Sequence, residues 1–337
     1  MVPTEEDEEE SSSGGDEDEE ELNRREFALL LARDIALAAV LVAVIFGGMF
    51  AYTQVWPPVV VVESESMQHS GTQSYLDTVD TGDIVLVQHV SSKDGVVTWV
   101  EGHATGYKTY GEFGDVIIFE RPRGAPGEAP IIHRPILYML YNATSRSYDA
   151  PSLATLDRGW WSATNASGTL SAPYGITGTI SMNHLGFHGD RTGTINVALF
   201  LSANYSTDGY VTMGDNNAYT SGFDPWLVSH TLVIGRARGE IPWFGLIKLT
   251  VSPTATGCCP GGWGDTGPAG APKNSWDSLA TSLLLIPVGI FLADYGFAFV
   301  ESSWKARKRK KGDRAADDAE ESTPANEPSN ESDDDPR

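Results

Sequence analysis

Two serines, a histidine and two aspartates supply the residue types of acyl-transfer chemistry in this 337-residue chain. Ser64 and Ser66 stand in VVVVESESMQHS, just after a long apolar run, His133 stands in IIHRPI, and Asp215 and Asp224 stand in MGDNNAYTSGFD. A serine hydroxyl is a poor nucleophile until a base takes its proton. Taken singly, each position has an ordinary reading. A serine near a membrane is a solvated loop residue, a strand histidine is half-buried packing, and Gly-Asp-Asn-Asn is a tight turn. The seven histidines are too scattered to mark a metal site, and two adjacent cysteines, Cys258 and Cys259, exclude both a CxxC zinc site and a disulfide scaffold. The cysteines are expected to be free or incidental, and neither a metal nor a cofactor is expected.

Hydropathy and alternation define the elements that must position these residues. From Ile35 to Val62 no charged residue occurs, and IALAAVLVAVIFGGMFAYT alone can cross roughly 30 Å of hydrocarbon at about 1.5 Å per residue. A transmembrane helix is predicted over 35–56. A cleaved leader fits less well, because an acidic tail precedes the run and bulky Met49, Phe50 and Tyr52 end it. A second transmembrane helix is predicted over 278–300, where Pro287 is tolerated and Asp294 can reach an interface or a partner. Arg24, Arg25 and Arg33 precede the first span and the cluster Lys305 to Lys311 follows the second. Both termini are therefore expected on the cytoplasmic side of the cell membrane, with 63–252 as an extracytoplasmic domain. Residues 253–277 read as a Gly/Pro-rich linker. Sequons at Asn142, Asn165 and Asn204 fall outside the cell in this layout, and one at Asn330 falls inside.

Within the external domain GDIVLVQHV, GDVIIFE, APIIHRPI, GYVTMGD and SHTLVIGRARGEI are short, β-branched and bounded by turn residues. The expected fold is thus mainly β, with antiparallel sheets, two transmembrane α-helices and disordered acidic termini. Residues about 141–204 shift to Ser, Thr, Asn, Gly and Trp, and are expected to form an insertion, either a hairpin or a small accessory subdomain. The net charge of −23 excludes a nucleic-acid footprint. Twelve acidic residues and no basic one lie in 1–23, which composition predicts to be disordered, as it does the tail within 301–337. With only four lysines, Lys93, Lys108, Lys248 and Lys273, the acidic ectodomain suits a salt-rich exterior that screens self-repulsion.

Taken together, SESM, GDIVLVQ, IIHR and GDNN followed by an Asp resemble, in order, the signature boxes of signal peptidase I of the archaeal and endoplasmic-reticulum type. This is a membrane-bound serine protease family, here with the stamp of a salt-adapted archaeon. VIGRARGEIPWFGLI resembles the family's closing strand and turn, and the membrane layout agrees. The resemblance implies a signal-peptidase-like fold with Ser66 as nucleophile and His133 as general base in place of the bacterial lysine. Asp215 or Asp224 would be the group that orients the histidine, and the Ser66 N–H with the Ser64 hydroxyl the oxyanion donors. Neither Lys93 nor Lys108 falls in a matching box. His69 stands where many members carry Pro and is a competing base. A further departure is the 82 positions from His133 to Asp215, which imply the insertion.

The implied partners are preprotein signal peptides and the lipid bilayer, with the Sec translocation channel as a candidate. Val59 to Val62 and Trp56 are expected at the lipid interface, and Val85, Val87 and Ile131 around shallow substrate pockets. Two other readings stand beside this one. One is a non-catalytic cell-surface binding or scaffold module presenting Trp160 and Trp161, and the other a related membrane serine protease with another surface substrate.

Overall fold

The computed structural model describes residues 13–203, 205–252, 257–267 and 270–321. In chain order, two long helices bracket a β-rich domain. Helix α1 (Ser13–Thr53) contains a 29-residue apolar stretch, Arg25–Thr53, of which only Thr53 is buried in protein. Leu41, Val44 and Ile45 are all more than half exposed. Such a surface is costly in water, and the helix is long and apolar enough to cross a membrane. It stops at Thr53, three residues short of the predicted 56. Gln54 takes a positive φ of 56°, and Pro57 and Pro58 follow and cannot continue a helix. At its other end α1 begins at Ser13, inside the acidic segment 1–23 for which composition predicts disorder. Glu is a good helix former, and acidic residues are favoured at a helix N-terminus.

Helix α5 (Lys273–Glu321) lies, from Asp277 onward, in a second compact unit. Its apolar stretch, Lys273–Lys305, is also long enough to cross a membrane; Ser275, Trp276 and Leu279 at its start are buried and nothing beyond Leu279 is, with Pro287 inside the exposed part. The helix runs on through the basic cluster Lys305 to Lys311 to Glu321, so helical order reaches beyond the predicted 278–300. The rest of the tail, with Asn330, lies outside the described residues, as do Met1 to Ser12 and Asn204.

Between these helices, β1 (Val59–Val61), β2 (Ile84–Gln88), β3 (Lys108–Thr109), β4 (Glu112–Phe113), β5 (Ile117–Phe119), β6 (Ile131–Asn142) and β7 (Ser147–Asp149) come first. They are followed by β8 (Trp161–Asn165), β9 (Gly168–Thr169), β10 (Thr179–Leu185), β11 (Arg191–Asn196), β12 (Gly209–Met213) and β13 (Val233–Ile241). All named pairings are antiparallel. The main sheet runs β1-β2-β13-β5-β6-β12, with β7 on the far end of β6. Every strand predicted from sequence lies in this sheet. Three short helices accompany it: α2 (Trp99–Thr105), α3 (Val197–Ser202) and α4 (Gly245–Val251).

The 12-residue β6 is the spine that carries His133, which pairs with Ile117 of β5. Pro135 has no N–H to give to β12, and the register of that pair slips between Val211 and Thr212, opposite the proline. The insertion is a separate four-stranded sheet, ordered β11-β10-β8-β9. It is not an appendage. Ile180, Met182, Ile195 and Trp161 from it share one buried cluster with Ile136, Leu137, Val211 and Met213 of the main sheet. Trp161 is therefore core, while Trp160 is half-buried against it.

A second cluster, Val62, Met67, Val79, Val85, Val87, Val116 and Ile118, lies under the end of β1. Here two expectations are corrected. Val85 and Val87 are fully buried, because β2 alternates and turns these two inward, so they line no substrate pocket. Val62, expected at the lipid interface, is buried in the protein, while Val59 to Val61 form a partly exposed edge strand. Trp56 is exposed and packs edge-on against Phe46 and Phe50 of α1, each at 6.3 Å.

Candidate active site

The chain leaves β1 and makes a single 3-10 turn, Glu65–Met67, whose tip is Ser66. Met67 is 1% exposed and plugs the turn into the cluster below. Burying such a side chain contributes about 1.5–3 kcal/mol, so the methionine of SESM anchors the serine beside it. From above, Gly214 closes over the turn. A Cβ at that position would meet the Ser66 carbonyl oxygen at 2.3 Å, so only glycine allows the approach. Asn216 Nδ2 donates to the Glu65 carbonyl at 3.1 Å. The Gly-Asp-Asn turn is thus a cradle for the serine.

His133 is 8% exposed, and its Nδ1 lies 2.7 Å from Asp224 Oδ2. The same oxygen accepts from Thr212 Oγ1 at 2.6 Å, and the Asp224 N–H donates to the Thr212 carbonyl. With Nδ1 so engaged, Nε2 is the ring nitrogen left for proton transfer. Ser66 Oγ bonds Ser64 Oγ at 3.3 Å and makes no direct bond to His133. Both residues line one cleft of about 570 Å³, together with Ser64, Asp224, Val60, Ile131 and Ile132. Catalytic hydrogen bonds commonly tighten only when substrate binds.

Asp215, nine positions before Asp224, does something else. Its carboxylate takes a bidentate pair from Arg134, Nε to Oδ1 at 2.8 Å and Nη2 to Oδ2 at 2.7 Å. Arg134 is fully buried, and its Nη1 donates to the carbonyls of Phe113 and Gly114. Burial alone would raise the Asp215 pKa, but the Arg134 charge and its hydrogen bonds outweigh it, with help from His69, and hold it down at about 2. The sequence leaves open which aspartate meets the histidine, and in the structure it is Asp224. His69, the competing base, has its Nε2 engaged with Asp215 Oδ2 at 3.0 Å and its ring stacked on Phe187 at 4.4 Å.

Asp83 of the GDIVLVQ segment is a fold residue. It accepts from the backbone N–H groups of Trp243 and Asp80, each at 2.8 Å, and pins the Ile241-Pro242-Trp243 turn to β2. Burial pushes its pKa up to about 8 and that of nearby Glu240 up to about 7.

Sequence reasoning missed three lining residues that come from distant segments, Arg121, Trp226 and Lys248. Lys248 pairs with Glu63 just before the serines, a contact no local pattern announces. Cys258 and Cys259 are joined as a vicinal disulfide, which corrects the expectation of free thiols. Both are buried, and the Cys258 N–H donates to the Glu63 carbonyl at 2.7 Å, which brings Gly257 into the cleft wall. Among the described residues no group of three or more His, Cys, Asp or Glu is placed to hold a metal ion. No protein-family model matches the sequence, and no curated protein is significantly similar to it.

Proposed function

We propose that the protein is a membrane-bound serine endopeptidase of the signal peptidase I type, with the β-rich domain outside the cell and both termini in the cytoplasm. The observation that carries this reading is the His133–Asp224 bond at 2.7 Å in the same cleft as Ser66. The fold-level features agree with it. The nucleophile follows the end of an apolar helix, Thr53, by 13 positions, so it would meet a preprotein whose own leader lies in the bilayer, at high local concentration.

In this mechanism Ser66 Oγ attacks the carbonyl carbon of the scissile peptide bond and its proton passes to His133 Nε2. Asp224 holds the imidazole in the tautomer with Nδ1–H and favours the cation that forms. The tetrahedral oxyanion is received by the Ser66 N–H and the Ser64 hydroxyl. His133 then protonates the leaving amine, leaving an acyl ester on Ser66. Water, deprotonated by the same histidine, hydrolyses that ester and restores the enzyme. The apolar cleft wall of Val60, Ile131 and Ile132 supports small apolar residues before the cut. A secretion channel that delivers such substrates is the partner this activity calls for.

The test is cleavage of a preprotein with a small-x-small site by the full chain in vesicles. Ser66→Ala should lower the rate by at least about 10³-fold. Undiminished cleavage by that variant would overturn the assignment.

A further inference from the structure

The insertion reaches the candidate site by way of the β10–β11 hairpin, at three places. At its tip, Phe187 stacks on His69 at a ring angle of 19°, and His69 follows Ser66 by three positions and is held by Asp215. Beside it, the His188 N–H donates to Tyr219 Oη at 2.9 Å. Tyr219 closes the short helical turn Asn216–Tyr219, whose first residue holds the nucleophile turn through Glu65. Gly186 has no Cβ to spare there, since one would stand 2.7 Å from Tyr219 Oη. Further along, a Cβ on Gly193 of β11 would meet the Phe223 ring at 2.6 Å, and Phe223 immediately precedes Asp224. The Arg191 guanidinium also lies over the Tyr219 ring at 4.7 Å. The segment 214–224, which carries both aspartates, therefore has the β10–β11 hairpin packed along it.

From these contacts we infer that the hairpin is a buttress that positions the nucleophile turn and the Asp224 loop, with Phe187 and His69 as positioning residues. The inference rests on reading Ser66, His133 and Asp224 as catalytic. Its physical basis is preorganisation. A nucleophile and a base on separate loops lose rate steeply when either is misplaced by a fraction of an ångström. It gives His69 a role in place of the base it could have been, since the ring ties the chain just after Ser66 to Asp215 on one side and to the insertion on the other. The shared buried cluster acts in the same sense at larger scale, because the two sheets cannot separate without exposing Ile180, Met182, Val211 and Met213.

The experiment uses the full chain in detergent or vesicles, with Phe187→Ala, Phe187→Leu and Phe187→Tyr. Cleavage kinetics, thermal midpoint and amide hydrogen exchange at residues 65–69 and 214–224 are measured on each. Phe187→Ala should lower kcat by about 10- to 100-fold with KM within about twofold, and exchange at both segments should rise. Phe187→Leu, which keeps bulk without the stacked ring, should fall between, and Phe187→Tyr should restore kcat. Unchanged exchange at 65–69 in Phe187→Ala overturns the inference, and so does a loss of kcat that tyrosine does not restore. Exchange decides the buttress role even if wild-type cleavage proves independent of Ser66, an outcome that would overturn the protease reading instead. A fall in thermal midpoint for Phe187→Ala alone, with Phe187→Leu stable and wild-type in kcat and exchange, also counts against it.

Discussion

Asp215 and Asp224 stand nine positions apart on one loop and meet opposite fates. Asp215 is locked to a fully buried arginine by two short hydrogen bonds and keeps its charge far into acid. Asp224 meets a histidine and a threonine at the wall of an open cleft. One carboxylate completes an ion pair whose disruption leaves a charge stranded in the core. The other faces a group able to take and return a proton. The difference lies in the partner each β6 residue presents, for His133 and Arg134 are adjacent and alternate across the strand, so the sheet sends one to the cleft and the other to the interior.

Either carboxylate can be neutralised without changing its shape. Asp224→Asn leaves His133 without the acceptor that fixes its tautomer. Cleavage should fall by about 10⁴-fold, with the thermal midpoint close to wild type. Equal activity, or a loss explained by unfolding in circular dichroism, would remove Asp224 from the mechanism. Asp215→Asn should act in the reverse sense. Breaking one partner of a buried pair costs about 3–5 kcal/mol, so denaturant melts should shift strongly while activity per folded molecule falls much less. If Asp215→Asn left stability unchanged and abolished turnover, the two roles would have to be exchanged.

Smaller effects are expected in the pH dependence of folding. Asp215 has a folded pKa of about 2, below its ordinary 3.8, so the native state binds fewer protons than the unfolded chain between those values. Its contribution is present above about pH 4 and is lost as pH falls toward 2. Asp83 and Glu240 have the opposite sign, with folded pKa values raised to about 8 and about 7. Their contribution is full below about pH 4, where both states are protonated, and is lost as pH rises to about 7 for Glu240 and about 8 for Asp83, because the unfolded chain ionises freely while each buried carboxyl is poorly solvated as an anion. Thermal midpoints measured from pH 3 to 9 should decline toward both ends. Glu240→Gln should flatten part of the alkaline decline and leave the acid limb, which belongs to Asp215, in place. A profile whose alkaline limb is unchanged in Glu240→Gln would show that burial does not perturb this group.

Much of this architecture was legible in the residues because it depends on local pattern. The β-branched runs around Ile84, Ile117, Ile131, Tyr210 and Val233 form strands where they stand, and the apolar runs after Arg25 and Lys273 form long helices. The SESM and GDNN segments drew notice only through their resemblance to a family's boxes, and the close approach of Gly214 to the Ser66 carbonyl is what the structure adds. What local pattern could not supply was partnership across the chain. The choice between Asp215 and Asp224 depends on how the loop after β12 folds back, and the partner of His69 arrives on a hairpin of the insertion. Val85 and Val87 satisfy an alternation that says two faces differ without saying which faces the core. The vicinal disulfide was likewise invisible, since nothing nearby in sequence tells bonded from free adjacent cysteines.

If Ser66, His133 and Asp224 act as one nucleophilic unit, covalent capture of the serine reads that unit out directly. The full chain is incubated with a serine-directed acylating reagent, and the modified peptide is identified by mass spectrometry for wild type and for His133→Ala. A single adduct is expected on the peptide containing Ser66, formed at least about 10³-fold more slowly when the histidine is removed. An adduct that forms elsewhere, or one on Ser66 whose rate does not depend on His133, would contradict the catalytic assignment.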